Sequence, residues 1–220
     1  MNRTLAAVVL SLLVLVPASS ASAQLLAAKD GPIVYGHHHL NVTNIDDHKK
    51  FWVEALGGVV TRIGTNNLEI VVFPNALLFM RAQKPSGGTK GSTLDHIAFS
   101  VTNLRQVVDR IKAGGFRMVT SAEAPPNVPV KDDIGVVEGG PVSGIAYALG
   151  PDEVKVELVE MKGQSAPIAS HHIHFFGAQR EAHFAPSQGS LAGTQGRALD
   201  HIGFEVKNLE AFTTKLNRRV

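Results

Sequence analysis

Residues 94–103 read Leu94-Asp95-His96-Ile97-Ala98-Phe99-Ser100-Val101-Thr102-Asn103. The same spacing from a histidine to Val-Thr-Asn occurs upstream, in His37-His38-His39-Leu40-Asn41-Val42-Thr43-Asn44. A third copy, His201-Ile202-Gly203-Phe204-Glu205-Val206-Lys207-Asn208, makes this a repeat protein whose reference point is a histidine. Side chains alternate between the faces of a strand, so the histidine and the residues two and four later share one face. Each copy therefore offers an inward imidazole at the start of a strand.

Outward from these strands the order of elements repeats. After strand Tyr35 to Val42, Phe51, Trp52, Ala55 and Leu56 fall at helical spacing and the helix stops at Gly57-Gly58. Short strands are expected around Val59 to Ile63, Leu68 to Phe73 and Ala76 to Ala82, with turns at 64–67 and Pro74-Asn75. That is one β-α-β-β-β unit. Residues 85–91 are a linker by composition, and strand Leu94 to Val101 then leads to a helix carrying Leu104, Val107, Val108 and Ile111. Strands follow around Phe116 to Thr120, Ile134 to Val137, Ile145 to Leu149 and Val154 to Met161. Between them, Ala122 to Asp133 carries three prolines and reads as a mobile loop, either a lid or a solvated excursion.

The N-terminus stands apart. Asn2-Arg3, an apolar run from Leu5 to Val16 and the small residues Ala21-Ser22-Ala23 form the three-part pattern of a secretory signal over 1–23, with cleavage before Gln24. The run is short of the roughly 20 residues that a spanning helix needs. No Cys is present, so the exported chain needs no disulfide. Lys and Arg number 21 against 19 Asp and Glu, with no run of like charge, so neither nucleic-acid binding nor membrane-surface binding after signal cleavage is supported.

The paired units, the strand Leu94 to Phe99 and the hairpin Gly150-Pro151-Asp152-Glu153-Val154-Lys155-Val156-Glu157-Leu158 resemble the vicinal oxygen chelate superfamily of glyoxalases, bleomycin- and fosfomycin-resistance proteins and extradiol dioxygenases. The resemblance covers Ile33 to Lys162. It implies an α+β fold of paired βαβββ modules in a cupped mixed sheet, with modules at 33–85 and 92–162 after an N-terminal linker at 24–32. It also implies a divalent metal held by first and last strands. Carried over by position, His37, His96 and Glu157 are the metal ligands, while Phe79 takes the fourth position and cannot ligate. The adjacent His38 and His39 are rivals of His37 for the ligand register. Two His and one Glu leave open positions on the ion for a chelating substrate, which favours Fe(II) or Mn(II), with Zn or Ni as further candidates. Tyr147 resembles the tyrosine that in extradiol dioxygenases hydrogen-bonds substrate oxygen, set against an ordinary half-buried strand aromatic. The second unit offers no additional histidine for acid-base work.

Residues 169–220 depart from the pattern. Ser170 to Phe176 resembles another first strand with His172 in the ligand register, yet His201 follows it about thirty residues too early, roughly a helix and two strands. This reads as a shortened, incomplete second copy. Three function classes stay open: a dioxygenase-like enzyme acting on a small oxygenated or aromatic molecule, a glyoxalase-like lyase or thiol transferase using the same metal, and a small-molecule binding protein of the bleomycin-resistance kind. Homo-oligomer formation is compatible with each.

Overall fold

The computed structural model describes residues 33–177, 184–186 and 191–217. The expected signal 1–23 and linker 24–32 lie outside the described residues. The first unit is β1 (Ile33–Val42), α1 (Ile45–Lys49) continued by a π-helical stretch (Lys50–Ala55), β2 (Val59–Ile63), β3 (Leu68–Phe73) and β4 (Ala76–Ala82). The second is β5 (Leu94–Val101), α2 (Leu104–Ala113), β6 (Arg117–Met118), α3 (Thr120–Glu123), β7 (Val130–Lys131), β8 (Ile134–Val136), β9 (Val142–Leu149) and β10 (Lys155–Met161). The C-terminal part supplies β11 (Ile168–Gly177), β12 (Phe184–Pro186), β13 (Leu199–Val206) and α4 (Leu209–Asn217).

The repeated asparagine has a structural cause. Asn44 is extended, with φ −141° and ψ 117°, and its side chain accepts from the amides of Asp46 and Asp47. Asn103 does the same for the Gln106 amide and Asn208 for the Ala211 amide. Each is the N-cap that ends a strand and starts a helix, a role worth about 1 kcal/mol.

Two mixed sheets result, ordered β13-β1-β4-β3-β2 and β12-β11-β5-β10-β9-β8-β7. This is the expected α+β fold of βαβββ modules with cupped sheets. Leu40, Val42, Phe51, Trp52, Phe73, Leu78, Phe99, Ile111 and Leu158 belong to one buried core between the sheets and helices. Burying each large side chain contributes on the order of 1.5–3 kcal/mol. All of β5 is buried, since both of its faces are covered.

Local expectations change in two places. The strand anticipated over 116–120 shrinks to β6, because the Thr120 hydroxyl donates to the Asp133 carbonyl and accepts from the Tyr147 amide while α3 begins. The span 122–133 is pinned. β7 hairpins onto β8, Arg105 donates to the Asp132 carbonyl, and Lys112 meets the Asp133 carboxylate at 2.7 Å.

Strand pairing decides the site. β1 is not hydrogen-bonded to β5. It pairs antiparallel with β13, setting His37 opposite Gly203 and His39 opposite His201. β5 pairs antiparallel with β11, setting His172 opposite Ala98 and His174 opposite His96.

Candidate metal centre

His96 and Glu157 come from neighbouring parallel strands, Glu157 lying opposite Ala98, and they meet at 3.0 Å between His96 Nε2 and Glu157 Oε2. Both are buried, at 4% and 7% exposure. Tyr147 stands directly across from Glu157 in the β9–β10 ladder and donates its hydroxyl to Oε1 at 3.1 Å. These three predicted residues therefore converge.

His37 does not join them. It lies on the other sheet beside His39 and His201, so the expected His37, His96 and Glu157 shell is replaced in the structure by two separate clusters. The physical reason is that β13, rather than β5, supplies the hydrogen-bonding edge for β1. His38 faces the core at 1% exposure, as strand alternation requires.

The place foreseen for His37 is taken by His172 of β11. Its Nε2 lies 3.1 Å from the same Glu157 oxygen that His96 approaches, and its Nδ1 is held by His171 at 2.7 Å. His174, two residues on, shares that face. Its ring centroid is 4.7 Å from that of His96, and its Nε2 is buried with no hydrogen-bond partner. Ligand atoms of His96, His172 and His174 lie within 4.8 Å of one another. The absence of a second histidine from 92–162 is thus made good by a strand from outside it. His172 was legible in sequence by register; His174 carried a signal in the spacing His-x-His, which it shares with His37 and His39.

Behind the site lies a charged relay. Asp95 accepts from His96 Nδ1 at 2.7 Å and is ion-paired to the buried Lys155, whose ammonium also meets Glu123 at 2.9 Å. Burial alone would raise the Asp95 pKa, but hydrogen bonds from His96 and Lys155 outweigh it and keep the carboxylate ionised below its ordinary range. Burial pulls the His96 imidazole down, yet the bonds to Asp95 and Glu157 prevail and raise it. Glu157 is likewise opposed by burial and is still held well below the usual carboxylate range by His172 and His96. The Tyr147 phenol is pushed up, first by burial and then by the Glu157 charge, and stays protonated as a donor.

This donor set fits a divalent ion. His96 and His172 both bring Nε2 close to Glu157 Oε2, the His174 nitrogen beside them has no hydrogen-bond partner, and the Asp95 carboxylate at Nδ1 fixes the His96 ring with Nε2 facing the site.

The sequence profile described as the Glyoxalase/Bleomycin resistance protein/Dioxygenase superfamily matches residues 34–158, more than half of the chain, and the protein belongs to that superfamily. Among solved structures, glyoxalase I from Zea mays is 20% identical over 61% of this chain and 49% of that one, with a TM-score of 0.43. A fosfomycin resistance protein from Listeria monocytogenes is 17% identical over 58% and 90%, with a TM-score of 0.38. A glyoxalase family protein from Enterococcus faecalis is 22% identical over 56% and 94%, with a TM-score of 0.39. The chain spans about half the length of the maize proteins it resembles. No curated protein matches it.

Proposed function

We propose that the protein is a metal-dependent, dioxygenase-like enzyme acting on a small oxygenated or aromatic molecule, with His96, His172 and Glu157 as ligands of Fe(II) or Mn(II). The observation that supports this best is the meeting of two imidazoles and one carboxylate on the single oxygen Glu157 Oε2. When bound, the ion would supply Lewis acidity and open positions for a chelating oxygen ligand. Tyr147 donates a hydrogen bond beside that position, and its raised pKa keeps the proton in place at neutral pH. In the tautomer protonated at Nδ1, His174 is the proton acceptor at the site, its Nε2 being buried and without a hydrogen-bond partner. Burial and the neighbouring His96 both lower its pKa.

Titrating the anaerobic Fe(II)- or Co(II)-loaded full chain with a catechol tests this reading. A spectral change saturating at one catechol at the centre, abolished in Glu157→Ala, is expected. A centre whose spectrum ignores the catechol defeats the dioxygenase-like assignment. His174→Gln should keep the ion and the catechol complex while losing turnover; loss of the ion instead would make His174 a ligand. We further infer export, on the pattern of residues 1–23, so that N-terminal sequencing of the native protein should begin at Gln24. Recovery of an intact Met1 start would overturn it.

A further inference from the structure

The second sheet carries its own histidine cluster, which the proposed chemistry does not use. His37 and His39 project from one face of β1, and His201 projects beside them from β13. Their ring centroids are 5.7 Å apart for His37 and His201 and 4.6 Å for His39 and His201, the latter pair stacked within 16°. One nitrogen from each lies within 4.8 Å of the others. Around a tetrahedral ion with bonds of about 2.1 Å, the ligand atoms stand about 3.4 Å apart, which small ring rotations can reach.

The local details fit a built site. Asp200 accepts from His201 Nδ1 at 2.7 Å, as Asp95 does for His96, so the Nε2 lone pair of His201 is free to ligate. The Asp200 carboxylate is itself fixed by the Asn41 amide at 3.0 Å and the Gly196 N–H at 2.6 Å. Gly203 makes room for His37, since an added Cβ there would collide with the imidazole. Among the described residues, no carboxylate takes the position in this cluster that Glu157 has at the other centre. Phe79 pairs with His39 as Glu157 pairs with Ala98, so a benzene ring stands where the other centre has its acid, its centroid 4.5 Å from that of His37. Beside it lies a cleft of about 210 Å³ lined by Tyr35, His37, Leu77, Phe79, Phe204 and Glu205, so a carboxylate borders the cleft without joining the group of three imidazoles. Near His39 the Arg81 guanidinium and the Asp200 carboxylate act on the ring with opposite signs.

We propose that His37, His39 and His201 form a second, all-imidazole metal site that takes a nitrogen-preferring divalent ion, Zn(II), Ni(II) or Cu(II), with its open position facing the aromatic cleft. Three neutral imidazoles contribute no charge, so oxygen-preferring ions gain little there, whereas ions that favour nitrogen bind. The two centres of one chain would then hold different metals.

The test is metal stoichiometry on the full chain, with Co(II), Zn(II) and Cu(II) as probes. Wild type should bind two equivalents of Co(II). His201→Gln and His39→Gln should each lose one equivalent, together with the Cu(II) paramagnetic resonance signal of a three-nitrogen site, and keep the equivalent that Glu157→Ala removes. His201 is more than half exposed, so its replacement leaves the core untouched. A single equivalent that both His→Gln variants retain overturns the second site. Loss confined to Glu157→Ala sinks it equally, while absence of binding at Glu157 alone defeats only the first centre.

Discussion

At the scale of single residues, the recurring device is a carboxylate placed one position before a histidine. Asp95 holds His96 Nδ1 and Asp200 holds His201 Nδ1, each at 2.7 Å, so the backbone step between adjacent residues fixes the tautomer and aims the other nitrogen. Asp95→Asn should therefore weaken metal binding at the Glu157 centre about 10–100-fold, read by competition with a chromophoric chelator; unchanged affinity would refute the role. Lys155 keeps its Glu123 partner in this variant, so the loss reports on His96 more than on the fold. His38 provides the opposite control. It is neutral, because burial and the neighbouring His37 lower its pKa to about 3, and it points into the core. His38→Ala should leave metal content unchanged while lowering thermal stability. If metal is lost, the register of β1 is displaced by one residue and every facing on it reverses.

At the scale of elements, the turn between β9 and β10 fastens the second unit to the first. Asp152 accepts from the Thr43 amide at 2.7 Å and from His48 Nε2 at 3.0 Å, while Trp52 Nε1 donates to His48 Nδ1 at 3.0 Å. The indole donor makes Nδ1 the acceptor, so Nε2 carries the proton given to Asp152. Asp152→Ala strands that buried N–H and should cost on the order of 1–3 kcal/mol, measured by denaturant unfolding at pH 7. Burial alone would raise the Asp152 pKa, but the Thr43 and His48 bonds lower it below the ordinary value of about 3.9. A depressed folded pKa gives stability that is present above the unfolded value and drains away as pH falls through the folded one. The gap between wild type and variant should thus be full at pH 7 and narrow below about pH 4. A gap of constant size would place the contribution elsewhere. The element order itself was readable from sequence, because alternation, capping and Gly stops are local. The π-helical turn at 50–55 and the pinned 122–133 segment were not, since each depends on what packs against it.

At the scale of the whole molecule, each sheet is finished by a strand from the C-terminal part, β13 beside β1 and β11 beside β5. Ser100 and Ala169 are partners in the antiparallel β5–β11 ladder, where Cα atoms lie about 4.5–5.5 Å apart, within disulfide range. The chain has no cysteine of its own, so the pair Ser100→Cys and Ala169→Cys should oxidise to one intrachain bridge, seen as a mobility shift that reductant reverses. Free thiols after mild oxidation would contradict the pairing, and with it the delivery of His172 to Glu157.

By itself, the sequence determined the repeat, the βαβββ order, the inward register of each histidine, and the contrast between Phe79 and Glu157. The first three follow from local patterns along the chain, and the last from the resemblance to the superfamily. Only the tertiary structure decided which first strands share a cup. β1, β5, β11 and β13 carry similar inward-histidine patterns and each offers a backbone edge, so no local signal tells His37 to meet His201 instead of His96, or His172 and His174 to reach Glu157. That choice is made by hydrogen bonding along whole strand edges and by burial of both faces of β5, which are non-local quantities. The sequence therefore carried the side-chain chemistry, and long-range pairing sorted the histidines into one cluster beside Glu157 and another of His37, His39 and His201.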